Sequence, residues 1–310
     1  MTVTSKRVTL PGTSRETLDG VLGGLMRRYR ERVPDVEKII GVMTRDGLIG
    51  SANDIENDHI AFRTMGVPQL GVASLEKIFL HLGYERRDPY DFPGKKLSAF
   101  WYSPPEPRYP RIFISELRVG ELSEGAQRII RSYTDEVKSD PVDALELDDA
   151  AAVDAFLHHA LWRLPTYADF QTLAGESEYA AWVIYNRYYL NHFTISVHNL
   201  PDGFNTVSSF NRFLEGHGVR LNDSGGKAKT SPDGLLIQSS TVAEMIQAEF
   251  AGGDVHEISG SYVEFAERRA LPGFEGQGGL SREQRREGFE AGNADKIFES
   301  TYSAQTGRRG

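Results

Sequence analysis

Two histidines and one glutamate, far apart along the chain, are of the residue types that hold a divalent metal ion. They are His59, His192 and Glu264. Two neutral imidazoles and one carboxylate can occupy one face of an octahedron and leave the opposite face open for a chelating substrate and dioxygen. This arrangement is typical of mononuclear non-haem Fe(II) oxygenases. We therefore predict a 2-His-1-carboxylate iron site and an oxygenase activity.

Each of these three residues lies in a short apolar stretch that predicts a β-strand. His59 is followed by Ile60 and Phe62, and the same alternation surrounds His192 and Glu264. Successive side chains of a strand point to opposite faces. The apolar neighbours are therefore expected to pack against helices, while the three polar side chains face one shared concavity.

An arginine follows the first histidine at a spacing that places both residues on one strand face. Arg63 comes two strand pleats after His59. An arginine that points into a concavity is costly unless it meets an anion, and its planar guanidinium suits a carboxylate. Arg63 is therefore a candidate for binding an anionic substrate. An internal salt bridge to Glu116 or Glu267 is the alternative that the pattern leaves open.

Four further residues are candidates for roles around this site. Gln238 and Ser240 lie on a predicted strand and could hydrogen-bond a substrate or only satisfy buried backbone groups. Tyr262 shares the strand face of the glutamate, and His198 shares the strand face of the second histidine. Both are expected to contact the metal ligands, and His198 is the best spare ligand.

The order of predicted elements repeats once along the chain. Each copy has the order β-α-β-β-β, which predicts an α+β fold of two βαβββ modules with an N-terminal helix pair and an inserted helical segment. We expect residues 1–310 to form a single catalytic domain. Its parts are N-terminal helices (14–45), a first module (57–118), a helical insertion (121–190), a second module (191–269) and a C-terminal tail (270–310).

Composition excludes several kinds of site and partner. The chain has no cysteine, which excludes disulfides, thiolate metal ligands and cysteine nucleophiles. Its net charge is -9, and it lacks a basic stripe interleaved with aromatic residues, which argues against a nucleic-acid partner. No stretch approaches a membrane span, and residues 1–12 lack the apolar run of a signal peptide. We expect no membrane partner and a cytoplasmic location.

Five short phrases, in order along the chain, are more specific than any single residue. They are residues 57–64 (NDHIAFRT), 191–194 (NHFT), 236–241 (LIQSST), 262–268 (YVEFAER) and 292–299 (GNADKIFE). Together they resemble the 2-oxoadipate dioxygenase/decarboxylase family, also called D-2-hydroxyglutarate synthase. The resemblance extends from about residue 14 to about residue 302.

This resemblance implies a fold, a metal and a reaction. The fold is similar to that of the vicinal-oxygen-chelate superfamily, in which βαβββ modules form an incomplete barrel. The metal is Fe(II), with ligands that fall here on His59, His192 and Glu264, and the arginine that contacts a substrate carboxylate falls here on Arg63. The reaction converts 2-oxoadipate and dioxygen to 2-hydroxyglutarate and carbon dioxide, in lysine catabolism. The chain is shorter than some bacterial members, so its exact 2-oxo acid stays open.

Two other classes of function stay open at this point. Another vicinal-oxygen-chelate metalloenzyme, such as an isomerase, a lyase or an extradiol-type ring-cleaving dioxygenase, would use the same metal ligands. An extradiol enzyme also needs a general base, for which His198 is the candidate. A non-catalytic relative that sequesters a small ligand would need neither iron nor turnover. Oligomeric state and product stereochemistry do not follow from these patterns.

Overall fold

The computed structural model of the chain describes residues 12–307. In this range the helices are α1 (Gly12–Arg32), α2 (Pro34–Arg45), α3 (Val72–His81), α4 (Glu124–Thr134), α5 (Ala150–Leu157), α6 (Tyr167–Glu176), α7 (Glu178–Asn186), α8 (Val207–Gly216), α9 (Ala291–Phe298) and α10 (Ser303–Thr306). The strands are β1 (Asn57–Met65), β2 (Glu85–Phe92), β3 (Leu97–Ser103), β4 (Arg111–Leu117), β5 (His192–Ser196), β6 (Lys229–Thr230), β7 (Leu236–Ser240), β8 (Met245–Glu249), β9 (Val255–Ser259) and β10 (Tyr262–Arg268). None of the described helices has the length and apolar character needed to cross a bilayer.

Eight strands form one curved sheet in which two modules lie side by side. The strand order is β2-β3-β4-β1-β5-β10-β7-β6. In each module the first strand runs parallel to the last, β1 with β4 and β5 with β10. The two first strands meet antiparallel at the centre of the sheet. The predicted α+β class is confirmed, as is the vicinal-oxygen-chelate-like half-barrel built from two βαβββ modules.

The second module contains a hairpin that the sequence analysis did not predict. β8 and β9 pair only with each other and separate β7 from β10 along the chain. Their side chains are mostly exposed or half-buried. Without a buried face the hairpin lacks the strict alternation of apolar and polar residues that reveals a strand in a sequence.

The N-terminal helix pair packs against the second module. α2 begins with Pro34, whose fixed backbone angle suits the first helical position. In α1, Tyr29 donates its hydroxyl hydrogen bond to the carbonyl of Tyr262 in β10. The helix pair therefore contacts the strand that carries Glu264.

The chain segment after β10 closes the open side of the half-barrel. α9 contacts β2 at one edge of the sheet and β6 and β7 at the other. Phe289, which precedes α9, and Phe298, the last residue of α9, both pack against Phe113 of β4. We call residues 289–301 the closing segment.

At the end of β1 the backbone lies very close to the end of β4, so a substitution there can test how tightly the two strands pack. The Gly66 amide donates to the Leu117 carbonyl at 2.9 Å, and a Cβ at Gly66 would lie 2.4 Å from that oxygen. Gly66→Ala should therefore lower the free energy of unfolding by about 2 kcal/mol or more, because relief of the clash must separate β1 from β4.

Gly41 in α2 is the matched control, since an added Cβ there meets nothing within 4 Å. Gly41→Ala should raise the free energy of unfolding by about 0.5–1 kcal/mol, because alanine loses less backbone entropy in a helix. Both values can be measured by urea denaturation. An equal effect of the two substitutions would contradict the packing described here.

Candidate metal centre

Glu264 lies between the two candidate histidines. Its Oε2 is 3.1 Å from His192 Nε2, and its Oε1 is 3.4 Å from His59 Nε2. The two Nε2 atoms are 3.4 Å apart. The candidate ligand atoms all lie within 4.8 Å of one another, and no other group of three such residues with this geometry occurs among residues 12–307. The structure thus brings together the three residues that the sequence singled out.

Strand pairing explains this convergence. β1, β5 and β10 are neighbours in the sheet. Ala61 pairs with His192 on one side, and Tyr262 pairs with His192 on the other. Paired residues of neighbouring strands share a face, and so do residues two positions along. His59 and Glu264, each two residues from one of these pairs, therefore lie on the same face as His192.

The residue before each histidine fixes the orientation of its ring. His59 Nδ1 lies 2.8 Å from Asp58 Oδ1, and His192 Nδ1 lies 3.0 Å from Asn191 Oδ1. Since both oxygens are acceptors, each Nδ1 donates a proton, and each neutral ring keeps its lone pair on Nε2. Metal-binding histidines are commonly oriented by such a contact. Both Nε2 atoms face Glu264 and are available to a metal.

Two buried arginines hold the Asp58 carboxylate. Arg268 donates to it from Nε at 2.7 Å and from Nη2 at 3.0 Å, and Arg111 donates from Nη1 at 3.2 Å. Burial alone would raise the pKa of Asp58, but Arg268, Arg111 and His59 together hold it well below its usual range. Asp58 therefore stays an acceptor for His59 at neutral pH.

An amide from β7 holds Glu264. Gln238 Nε2 donates to Glu264 Oε1 at 2.6 Å, and Gln238 Oε1 accepts from Asn293 Nδ2 at 3.1 Å. Because Asn293 lies in α9, the closing segment also positions the carboxylate. The sequence analysis assigned Gln238 to the substrate, but in the structure its amide nitrogen is directed at Glu264.

The pKa values of the three candidate ligands shift in different directions. Burial alone would raise the pKa of Glu264, but the two imidazoles hold it well below its ordinary value. Burial lowers the pKa of His192 and outweighs the attraction of Glu264. Burial opposes the charged form of His59 as well, but there Glu264 and Asp58 prevail and raise its pKa. The carboxylate is thus ionised and His192 is neutral, as metal ligands must be.

This donor set fits a divalent cation. Lone pairs of two nitrogens and two carboxylate oxygens converge on one buried point, which is unfavourable without positive charge there. A proton can bridge only one pair of these atoms, whereas a metal ion can bind all three residues. Nitrogen and oxygen ligands without thiolate suit iron, manganese or zinc. His59, His192 and Glu264 therefore form a candidate metal centre.

A cavity lies beside these ligands and is also lined by Arg63. Most of its wall is aromatic or aliphatic. The apolar wall includes Ala61, Phe62, Phe113, Phe289, Ala294, Ile297 and Phe298. Four of these residues belong to the closing segment, so this segment separates the candidate metal centre from bulk water.

Arg63 is 1% exposed and has no carboxylate partner among residues 12–307. Its Nη1 donates to Thr301 Oγ1 at 2.9 Å, and its Nη2 donates to the Phe298 carbonyl at 3.0 Å. The alternative salt bridges do not form, because Glu116 and Glu267 accept from the first backbone amides of α3 and α8. A buried guanidinium at the cavity wall is expected to receive an anion.

Ser240 and His198 do not line this cavity. Ser240 Oγ lies 2.8 Å from Ser300 Oγ, in a hydrogen bond to the closing segment. β5 ends at Ser196, and the 3₁₀ turn that follows carries His198 away from the strand face. The structure therefore contradicts the assignment of Ser240 to the substrate and the expected contact of His198 with the metal ligands. The extradiol alternative thereby loses its candidate base.

Tyr262 lies beside a candidate ligand. Its ring centroid is 4.8 Å from that of His192, and the residue lines the cavity. Burial raises the pKa of Tyr262, so its hydroxyl stays protonated. The sequence analysis placed Tyr262 next to the metal ligands. In the structure Tyr262 also forms part of the cavity wall.

Sequence reasoning missed Asp58, Asn191 and Asn293. For the first two a signal was present, since each directly precedes a histidine and carries an oxygen that can accept the Nδ1 proton. No signal in the sequence connects Asn293 to Gln238. Their contact exists because the closing segment crosses the half-barrel.

Comparisons of sequence identify relatives along most of the chain. A family model described as 2-oxoadipate dioxygenase/decarboxylase matches residues 21–280. The chain is 41% identical over 304 residues to the chloroplastic 2-oxoadipate dioxygenase/decarboxylase of Arabidopsis thaliana, covering 93% of this chain and 78% of the relative. It is 43% identical over 302 residues to the chloroplastic/amyloplastic protein of that name from Oryza sativa subsp. japonica, covering 93% and 80%.

A comparison with solved structures also identifies a protein that is similar to this chain. The crystal structure of a hydroxyglutarate synthase from Oryza sativa in complex with 2-oxoadipate has a TM-score of 0.89 and 40% sequence identity, over 98% of each chain. Both plant relatives are named as plastid proteins. This contradicts the cytoplasmic location that the sequence analysis predicted.

Removal of the Gln238 amide tests its role at the metal centre. Gln238→Leu should weaken metal binding by about 10- to 100-fold, because Glu264 loses the donor that orients it. Competition with a chromogenic chelator measures this affinity. Gln247→Leu, at an exposed position of β8, is the matched control and should bind metal as the parent protein does. Unchanged affinity in Gln238→Leu would contradict the role assigned to this amide.

Proposed function

This chain belongs to the 2-oxoadipate dioxygenase/decarboxylase family, and on that basis we propose that it converts 2-oxoadipate and dioxygen to 2-hydroxyglutarate and carbon dioxide. One observation carries the proposal. The same cavity is lined by the three candidate metal ligands and by a buried Arg63 that lacks a carboxylate partner among residues 12–307. A role in lysine catabolism, which the family resemblance implies, is part of the proposal.

We assign Fe(II) as the metal that His59, His192 and Glu264 hold. When bound, it would supply open positions for dioxygen and for the keto and carboxylate oxygens of a 2-oxo acid. Asp58 and Asn191 keep the two Nε2 atoms directed at that position through their contacts with Nδ1. The protein thus provides a preset ligand geometry.

The cavity has a polar group for each end of a 2-oxo diacid. The 2-oxo acid end belongs beside the metal ligands, and Arg63 is available to the distal carboxylate. Ala61 lies between His59 and Arg63 on the same strand face and also lines the cavity. Its small side chain leaves space for the methylene groups. Fixing both ends of the substrate sets the position of the keto carbon.

Exclusion of water is the other contribution of the protein. Phe289 packs edge-on against the His59 ring at 4.8 Å between centroids, and Phe298 covers Arg63. A dry site protects reactive species from side reactions and strengthens the hydrogen bonds to the substrate. The substrate loses one carbon as carbon dioxide, and the shortened chain of the same molecule is hydroxylated. No second organic substrate is therefore required.

The reaction itself is directly testable. Protein purified without oxygen and loaded with Fe(II) should consume dioxygen and release carbon dioxide when 2-oxoadipate is added in air, with 2-hydroxyglutarate as the organic product. A panel of 2-oxo acids of different chain length, followed with an oxygen electrode and by mass spectrometry, identifies the preferred substrate. Oxygen uptake that no 2-oxo diacid stimulates would contradict the proposal.

Arg63→Ala tests the assignment of the distal carboxylate. The change should lower kcat/KM for 2-oxoadipate by about 100-fold or more, since charge-assisted hydrogen bonds of a buried pair are lost. Metal content should stay unchanged, because Arg63 does not contact the candidate ligands in the structure. Arg212→Ala, on the exposed side of α8, is the control. Full turnover by Arg63→Ala would remove Arg63 from the site.

A further inference from the structure

Three buried hydrogen-bond donors at the cavity have no acceptor within residues 12–307. They are Arg63 Nε, Asn191 Nδ2 and Tyr262 Oη. Each of the three residues is 1% exposed. Buried polar groups are almost always hydrogen-bonded. Three free donors on one cavity wall therefore indicate an acceptor-rich ligand.

Backbone pairing places the three residues that carry these donors on adjacent segments. The Asn191 amide donates to the Ala61 carbonyl of β1 at 3.0 Å, and the Tyr262 amide of β10 donates to the Asn191 carbonyl at 3.4 Å. Asn191 thus lies between the strand of Arg63 and the strand of Tyr262. The donors come from three neighbouring segments of the sheet rather than from one flexible loop.

The orientation of the Asn191 amide follows from the chemistry of His192. A metal on Nε2 requires the proton on Nδ1, and that proton needs an acceptor. Asn191 Oδ1, at 3.0 Å, is that acceptor. Asn191 Nδ2 is therefore directed away from the histidine and remains a donor for something else.

The charge of Arg63 decides which kind of acceptor is required. A guanidinium has five N–H donors, and the structure uses two of them, on Thr301 and on the Phe298 carbonyl. A water molecule could accept from two of these donors, but it would not balance the buried positive charge. A carboxylate can accept from several donors at once and neutralises the guanidinium.

We propose that Arg63, Asn191 and Tyr262 form a three-donor cradle for the distal carboxylate of the 2-oxo diacid. Asn191 and Tyr262 are then substrate-binding residues in addition to Arg63. The identity of the diacid rests on the proposed function, whereas the carboxylate chemistry rests on the donors themselves. The cradle makes the protein selective for diacids over 2-oxo monoacids of the same length, since a methyl group would leave the donors unsatisfied.

Tyr262→Phe removes one donor and keeps the ring that packs on His192. The dissociation constant of 2-oxoadipate, measured by anaerobic calorimetry on the Fe(II)-loaded protein, should rise about 10-fold or more. The dissociation constant of 2-oxohexanoate, which has the same six carbons without the distal carboxylate, should stay unchanged, as should the iron content. Tyr167→Phe in α6, outside the cavity, is the matched control.

Asn191→Asp separates the two functions of this side chain. An aspartate still accepts the Nδ1 proton of His192, so iron should stay bound. It replaces the donor by a negative oxygen beside the substrate carboxylate, and the dissociation constant of 2-oxoadipate should rise more than in Tyr262→Phe. Binding of 2-oxohexanoate should again change little.

Each other outcome overturns part of this assignment. Equal loss of affinity for both ligands in Tyr262→Phe would place the hydroxyl at the metal-chelating end or give it a structural role, and the cradle would be wrong. Unchanged affinity for 2-oxoadipate in both variants would also refute it. Parent protein that binds 2-oxoadipate without consuming oxygen would refute the proposed function alone. Parent protein that does not bind it would refute both.

Discussion

The convergence of two imidazole lone pairs and one carboxylate on a buried point is the constraint on which the centre depends. Such a cluster is unfavourable unless a cation completes it. The surrounding residues hold the cluster in place against its own repulsion. Asp58 and Asn191 fix the rings, and Gln238 fixes the carboxylate. The folded chain thus fixes the geometry of the candidate metal centre through its own hydrogen bonds.

The two modules use the same positions for different purposes. In the first module the residue before the histidine is Asp58, whose charge is balanced by two buried arginines. In the second module it is Asn191, an uncharged amide with a second hydrogen-bonding group on the cavity side. The repeat supplies two equivalent ligand positions. Of the two residues that precede the histidines, only Asn191 also has an unpaired donor at the cavity.

Short-range patterns predicted the metal ligands and the two modules because both follow from strand alternation. His59, His192 and Glu264 are recognisable since each polar residue interrupts an apolar strand. The contacts of Gln238 and Ser240 were not predictable in this way. Their partners lie in the closing segment, 55 and 60 residues further along the chain. No periodic pattern in the sequence indicates that the chain comes back into contact with these residues. The position of His198 was predicted wrongly because β5 ends at Ser196, two residues before it. Beyond the strand end, side chains no longer alternate between the two faces.

The closing segment also affects when the substrate pocket is completed. Arg63 of β1 hydrogen-bonds Thr301 of the closing segment, and this segment can pack only after the strands at both edges of the sheet are in place, because α9 contacts β2, β6 and β7. The three metal ligands all precede this segment. An intermediate can therefore exist in which the half-barrel has formed and is accessible to metal ions while the guanidinium is still solvated. Through that open side a metal ion would reach the three candidate ligands before the closing segment seals the pocket.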